Sequence, residues 1–237
     1  MEAVDEARPV SPAPPRRHRV EALWLGRIGY ARALVVQREA AARVARGGAE
    51  TLLLLEHEPV FTLGRNASEA DVLFTPGKRR ELGIDLFEAD RGGKVTFHGP
   101  GQLVGYPVLN LDPDRRDVRR YVRDLEEVLL RTLADAGVAA SRSPLAERVS
   151  SVWIGNDKVA AIGVHISRWI TTHGFALNVT DEPLPNFRGI VPCGIMDGGV
   201  TSIESAREHP IDVREVVPRI CAHFADVFDR HVEMSGP

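Results

Sequence analysis

The chain is poor in the residues that build disulfide scaffolds and membrane spans. Among its 237 residues there are only two cysteines, Cys193 and Cys221. Two cannot make a disulfide framework, and the expectation is a reducing, cytoplasmic setting. No stretch approaches the ~18 consecutive apolar residues of a membrane span, and the longest aliphatic run, Leu52 to Leu55, is strand-sized. The N-terminus lacks the apolar segment of a secretory signal. Charge of neither sign dominates: 30 Lys and Arg stand against 33 Asp and Glu. A globally basic nucleic-acid binder is therefore not expected, nor is a membrane partner. What is present, 43% hydrophobic and 27% charged residues, suits a folded protein with one large domain.

Residues 1–18 hold four prolines and no aliphatic periodicity, which predicts a disordered tail before a single domain over 19–237. Val20, Ala22 and Trp24 read as a first strand. Residues 30–45 read as a helix with Tyr30, Leu34, Gln37, Ala41 and Val44 on one face, stopped by Gly47 and Gly48. Strands are expected at 51–57 and 60–63, a loop over 64–84, and two short strands at 94–98 and 103–109. A helix follows Asp117, with Val118, Tyr121, Val122, Leu125, Leu129, Leu133 and Ala136 on its inner face and Gly137 beyond its end. Gly155, Asn156 and Asp157 form a hairpin turn between strands 152–154 and 158–164. A further strand pair is expected at 165–170 and 174–179. A Pro/Gly loop fills 181–199, and a last helix starts with a capping box of Asp212 and Glu215. Hairpins mixed with three helices predict an α/β (α+β) mixed β-sheet with helices packed on one side.

Two segments stand out chemically. Arg91 to Pro107, RGGKVTFHGPGQLVGYP, holds five glycines but lacks both the P-loop and the dinucleotide fingerprint. Such glycines serve either tight turns or a backbone that approaches a ligand closely. Cys193 lies in VPCGIMDGG, a loop where a thiol can be reached by a substrate carbonyl, whereas Cys221 falls in register with the apolar face of the last helix. A nucleophilic thiol needs a partner, because a free thiol is mostly protonated at neutral pH. Lys158, His98 and His173 are the candidates. Lys158 is the only charge in the run KVAAIGV, where desolvation would make it a usable base or leave it a cation beside a thiolate. The histidines and cysteines are not spaced as metal ligands. Arg116, Arg119, Arg120 and Arg123 share one face of the helix after Asp117 and could receive an acidic partner.

Four blocks taken in order, HEPVFTLGR, RGGKVTFHGPGQLVGYP, KVAAIGV followed by HGFALNV, and VPCGI with TSI, resemble the lipoyl(octanoyl) transferases over about residues 20–230. The resemblance implies a biotin/lipoate protein ligase-like catalytic domain and an acyltransferase with a Cys/Lys dyad. Cys193 would be the acyl-thioester nucleophile and Lys158 its activating lysine. The acyl-binding segments would be Arg91, Gly92, Gly93, Lys94, Val95, Thr96, Phe97 and His98, then Ala161, Ile162 and Gly163, then Gly174, Phe175 and Ala176. Phe97 stands where Tyr is usual. The implied donor is octanoyl-acyl carrier protein. The implied acceptors are lipoyl domains of 2-oxoacid dehydrogenase complexes and the glycine cleavage H protein. No ATP, metal or other cofactor is implied. The competing expectations are an ATP-dependent lipoate or biotin ligase of the same fold and a non-catalytic acyl-carrier-binding module.

Overall fold

The computed structural model describes residues 18–143, 150–191 and 199–235. In chain order the elements are β1 (His18–Ile28), α1 (Tyr30–Ala45), β2 (Glu50–His57), β3 (Val60–Leu63), α2 (Pro76–Glu81), β4 (Asp85–Glu88), β5 (Val95–His98), β6 (Gln102–Val108) and α3 (Val118–Asp135). They continue with β7 (Ser141–Arg142), β8 (Ser151–Ile154), β9 (Asp157–Ser167), β10 (Ile170–Asn178), β11 (Gly199–Val200), α4 (Ile203–Arg207), α5 (Val213–Phe228) and β12 (Arg230–Ser235). The main sheet runs β12-β1-β2-β6-β10-β9-β8-β7, with β11 alongside β9, and β4-β3-β5 make a second, small sheet. Both sheets mix parallel and antiparallel pairs. The mixed sheet with packed helices expected from the sequence is the observed architecture.

The helices, however, cover both faces of the main sheet, not one. Leu52 and Leu54 of β2 pack with Tyr121, Leu125 and Leu129 of α3 and with Val216, Ile220 and Phe224 of α5. Leu53 and Leu55 point the other way, onto Ala33 of α1 together with Val104, Tyr106 and Ala176. A strand buried on both sides needs a continuous apolar run instead of alternation, and TLLLLEH supplies it. The small sheet closes its own core around Phe61, Val95, Phe97 and Ile190.

Several local expectations hold at the level of single residues. Asp117 caps α3 by accepting from the Arg120 amide. Asp212 and Glu215 form the reciprocal capping box of α5. Gly137 ends the α3 segment at φ 77°. Others are corrected. Val118 overhangs the start of α3 and is exposed. The turn after Ile154 has two residues, Gly155 and Asn156, since Asp157 already belongs to β9. β9 then continues through Ser167 and turns at Arg168 and Trp169, both at positive φ. Those residues replace the Gly and Asn that usually mark such a turn, so the sequence read a strand straight across it. The 64–84 segment contains α2, capped by Thr75. The chain does not end on a helix: α5 stops at Asp229 in a left-handed conformation without a glycine, and β12 then pairs with β1 in parallel. Arg230 anchors that strand in a buried cluster with Glu50 at 2.8 Å and Asp114 at 2.9 Å.

Candidate active site

A cavity of about 140 Å³ lies on the α1 face of the sheet, between β9, β10, the small sheet and the Arg91–Gly93 loop. Its floor is Ala160 to Gly163 of β9 beside Gly174 to Ala176 of β10, and its roof is Arg91 to Thr96 with His98. Lys158 stands at one end. Three segments, the first about 60 residues before the other two, are thus brought together around one space. The exception is Phe97. Its ring is fully buried in the core of the small sheet, edge-on to Phe61 and Phe187, because successive side chains of β5 alternate.

Glycine is required where the roof touches the floor. A Cβ on Gly163 would stand 3.0 Å from the Gly92 carbonyl oxygen and 3.1 Å from Arg91 Cδ, and the Gly92 amide donates to the Val164 carbonyl at 3.0 Å. Gly163 of KVAAIGV therefore serves close backbone approach, whereas Gly93 of RGG serves a turn at φ 86°. Arg91 does not extend a free guanidinium into the cavity. Nη1 donates to the carbonyls of Gly92 and Lys94, and Nη2 donates to Thr62, so the side chain braces the roof from within.

Lys158 is half-buried at the start of β9, with Nζ 5.4 Å from the centre of the Trp153 ring. Its carbonyl accepts from the Thr201 amide, and Val200 of β11 pairs beside it. A polar chain runs from this point into the cavity wall. Asn178 donates to the Thr201 carbonyl at 2.9 Å, Gln102 donates to Asn178 Oδ1 at 2.8 Å, and Gln102 Oε1 accepts from His98 Nδ1 at 2.7 Å. Cys193 lies outside the described residues. The residues flanking its segment do bear on the site: Ile190 and Val200 both line the cavity. Cys221 is buried on α5, its thiol pushed up to about 11 by burial, as befits an unreactive core residue.

The wall toward α1 is aromatic and was not read from the sequence. Tyr30 and Tyr106 line it, and His57 lies directly behind, 5.2 Å and 5.9 Å from their ring centres. His57 Nδ1 donates to the Ile28 carbonyl at 3.1 Å and Nε2 accepts from the Tyr106 hydroxyl at 2.7 Å. Burial lowers His57 to about 4 and pushes His98 well below the ordinary histidine value, while Tyr30 rises to about 12. These groups are neutral at pH 7, so the wall is polar in composition but uncharged. His173 lines the same cavity and its Nε2 donates to Asp90 at 2.7 Å. Burial lowers the His173 value, against the opposing pull of the Asp90 carboxylate. Among these residues, Gln102 and Tyr106 lie in the Arg91–Pro107 block and His57 opens HEPVFTLGR, whereas Tyr30 lies outside the four blocks.

No group of three His, Cys, Asp or Glu side chains suited to a metal occurs among the described residues. Nor is any helix among them long and apolar enough to cross a membrane.

Known proteins resemble this chain in sequence and in fold. Residues 29–225 match the family model of the lipoyl protein ligase A/B catalytic domain. The octanoyltransferase of Caldicellulosiruptor bescii is 42% identical over 92% of this chain and 95% of its own length. That of Solibacter usitatus is 49% identical over 86% and 91%. The octanoyltransferase of Myxococcus xanthus is 45% identical over 86% of this chain, which spans only 58% of that longer protein. Among solved structures, lipoate-protein ligase A bound with ATP superposes with a TM-score of 0.75 at 17% identity, covering 92% of this chain and 88% of the other. The bipartite lipoate protein ligase of Thermoplasma acidophilum gives 0.73 at 18%, covering 93% and 87%. These two likenesses establish the fold. With the sequence matches, this chain belongs to the lipoyl protein ligase A/B catalytic-domain family, on its octanoyltransferase branch.

Proposed function

We propose that this protein transfers an octanoyl group from octanoyl-acyl carrier protein to a lysine of lipoyl domains, through a thioester on Cys193. The acceptors are the lipoyl domains of 2-oxoacid dehydrogenase complexes and the glycine cleavage H protein. The observation that supports this most is the convergence on one cavity. Lys158 stands at its end, and Ile190 and Val200, which precede and follow Cys193 in the chain, both reach its wall. The floor and roof are the segments that the resemblance assigns to the acyl chain.

In the first step the Cys193 thiolate attacks the carbonyl of the octanoyl thioester, and the carrier's phosphopantetheine thiolate leaves, taking a proton. Exchange of one thioester for another is close to isoenergetic, so catalysis requires alignment and thiolate formation rather than a driving force. Lys158 supplies the neighbouring cation that favours the thiolate. In the second step the ε-amine of the acceptor lysine attacks the acyl-enzyme, giving the amide and regenerating the thiol. Free lysine is mostly protonated at neutral pH, with a reference value near 10.4, so this step needs a base, and Lys158 takes that role. The scheme is ping-pong and uses neither ATP nor a metal. Each buried methylene contributes ~0.8 kcal/mol, so the apolar floor of Ala160, Ala161 and Ala176 holds the chain.

The decisive experiment mixes the protein with octanoyl-carrier, without ATP, and measures its intact mass. A single octanoyl adduct on the wild type, absent in Cys193→Ala, is expected. Full turnover by Cys193→Ala overturns the covalent route. A strict requirement for ATP returns the chain to the ligase reading, and the absence of any adduct or turnover to a binding module.

A further inference from the structure

β10 breaks its own alternation at one residue. Thr171 lies against Tyr121, and Phe175 and Leu177 pack into the core beneath α3 and α5. His173, midway between Thr171 and Phe175, should point the same way. It points to the opposite face: its ring lies 6.0 Å from that of Tyr106, which packs with Ala176 on the α1 side. The cause is the backbone. His173 has φ 56°, a left-handed conformation in the middle of a strand whose register with β9 stays continuous. Its amide leaves the ladder and donates to Gln37 Oε1 of α1 at 2.8 Å. Gln37 is itself buried among the inward-facing residues of that helix. On the far side of the ring, Nε2 is held by Asp90. A non-glycine residue kept in this conformation by partners on both sides is a feature that concentrates at functional sites.

The place of the imidazole suggests its purpose. His173 lines the acyl cavity, and it also lines a second space of about 660 Å³, open to solvent. That second space has an apolar wall of Leu34, Ala41, Ala42 and Ala45 of α1, and its remaining lining includes the charged Arg38, Arg65, Glu88, Asp90 and Arg168. The His173–Asp90 pair, with the Gly92–Val164 hydrogen bond, is thus the partition between the two. Along β9 the cavity floor runs from Ala160 to Gly163, and Val164, the partner of His173, lies just beyond its end. A chain that enters at the Lys158 end and follows this floor therefore meets the partition at its far end.

We propose that the His173 imidazole is the stop that sets the acyl chain length, and that Gln37 and Asp90 are the positioning residues that hold it across the slot. The proposal rests on the acyl-transfer reading above. Without the imidazole, the slot opens into the second space, whose alanine-lined α1 wall can take the additional methylenes of a longer chain.

The test compares acyl-enzyme formation from octanoyl- and dodecanoyl-carrier in wild type, His173→Gly, His173→Asn, Gln37→Leu and Gln37→Glu, with thermal melting of each. Glycine and asparagine both accept the left-handed backbone, so these variants keep the fold while removing or shortening the stop. The dodecanoyl-to-octanoyl rate ratio should rise at least tenfold in His173→Gly and by less in His173→Asn. It should rise in Gln37→Leu, which loses the acceptor for the His173 amide. It should stay at the wild-type value in Gln37→Glu, which keeps an acceptor oxygen. A purely structural role would lower both rates together and leave the ratio unmoved. A ratio within twofold of wild type in folded His173→Gly overturns the proposal. A wild type that accepts no octanoyl group from the carrier overturns the acyl-transfer reading itself.

Discussion

Arg91 Nη2 donates to both oxygens that Thr62 offers, the carbonyl at 2.8 Å and Oγ1 at 2.7 Å. Nη1 meanwhile holds the Lys94 carbonyl at 2.9 Å. One planar fork thereby fastens the glycine loop to the central strand of the small sheet, and the cavity roof depends on it. Lysine, a point charge, cannot reach these acceptors at once. Arg91→Lys should lose about 1–3 kcal/mol, the cost of stranding buried acceptors. It should also raise KM for the acyl donor. Denaturant melts and steady-state kinetics read both effects.

Lys158 is expected to act on the thiol and on the acceptor amine. Lys158→Ala should slow acyl-enzyme formation and acyl transfer alike, by one to several orders of magnitude in line with a lost general base, roughly 10²–10⁴-fold. It should also raise the pH at which Cys193 alkylates. An alkylation–pH profile identical to wild type would deny Lys158 this role. Cys221→Ser should keep most of the activity, since that thiol is buried in the core on the α3 and α5 side of the main sheet and does not line the cavity.

His57 should make the fold acid-sensitive. Its value drops from 6.5 to about 4 on folding because burial disfavours the charged ring. The unfolded chain therefore binds more protons between those two values. The stability it permits is complete above pH 6.5 and is lost progressively as pH falls toward 4. By pH 5 the loss from this residue alone is about 2 kcal/mol. In His57→Gln the difference in unfolding free energy between pH 7.5 and pH 5 should shrink by that amount. An unchanged difference would show that His57 does not carry the effect.

The arginines around the start of α3 are expected to receive the acidic carrier, although Arg116 itself precedes the helix. Arg116 is paired with Asp112, and Arg120 stands 3.9 Å from Asp124. Arg119 and Arg123 are exposed. Arg115 cannot extend the patch, because it is buried and bound to Asp124 and the Phe228 carbonyl. Arg119→Glu combined with Arg123→Glu should raise KM for an acidic carrier at low salt, and the effect should fade as salt rises. Acylation by a small octanoyl thioester should not change.

Much of this molecule is decided by information local in the chain. The caps at Asp117 and Asp212, the doubly buried run of β2, the inner face of α3 and the glycine-rich roof all follow from neighbouring residues, because hydrogen bonding and side-chain period act over one or two turns. The segments lining the cavity were named through the family resemblance, which contiguous blocks of sequence carry. What only the tertiary structure decided involves partners far apart. The α1 face of the sheet, the pairing of β12 with β1, and the wall of Tyr30, His57 and Tyr106 rest on contacts between distant segments. His173 shows why most sharply. A period of two assigns it to one face of β10. Gln37, 136 residues away, and Asp90, 83 residues away, hold it on the other. A local pattern states where a side chain would go if its backbone were free to be regular, and only packing between distant segments can hold it elsewhere.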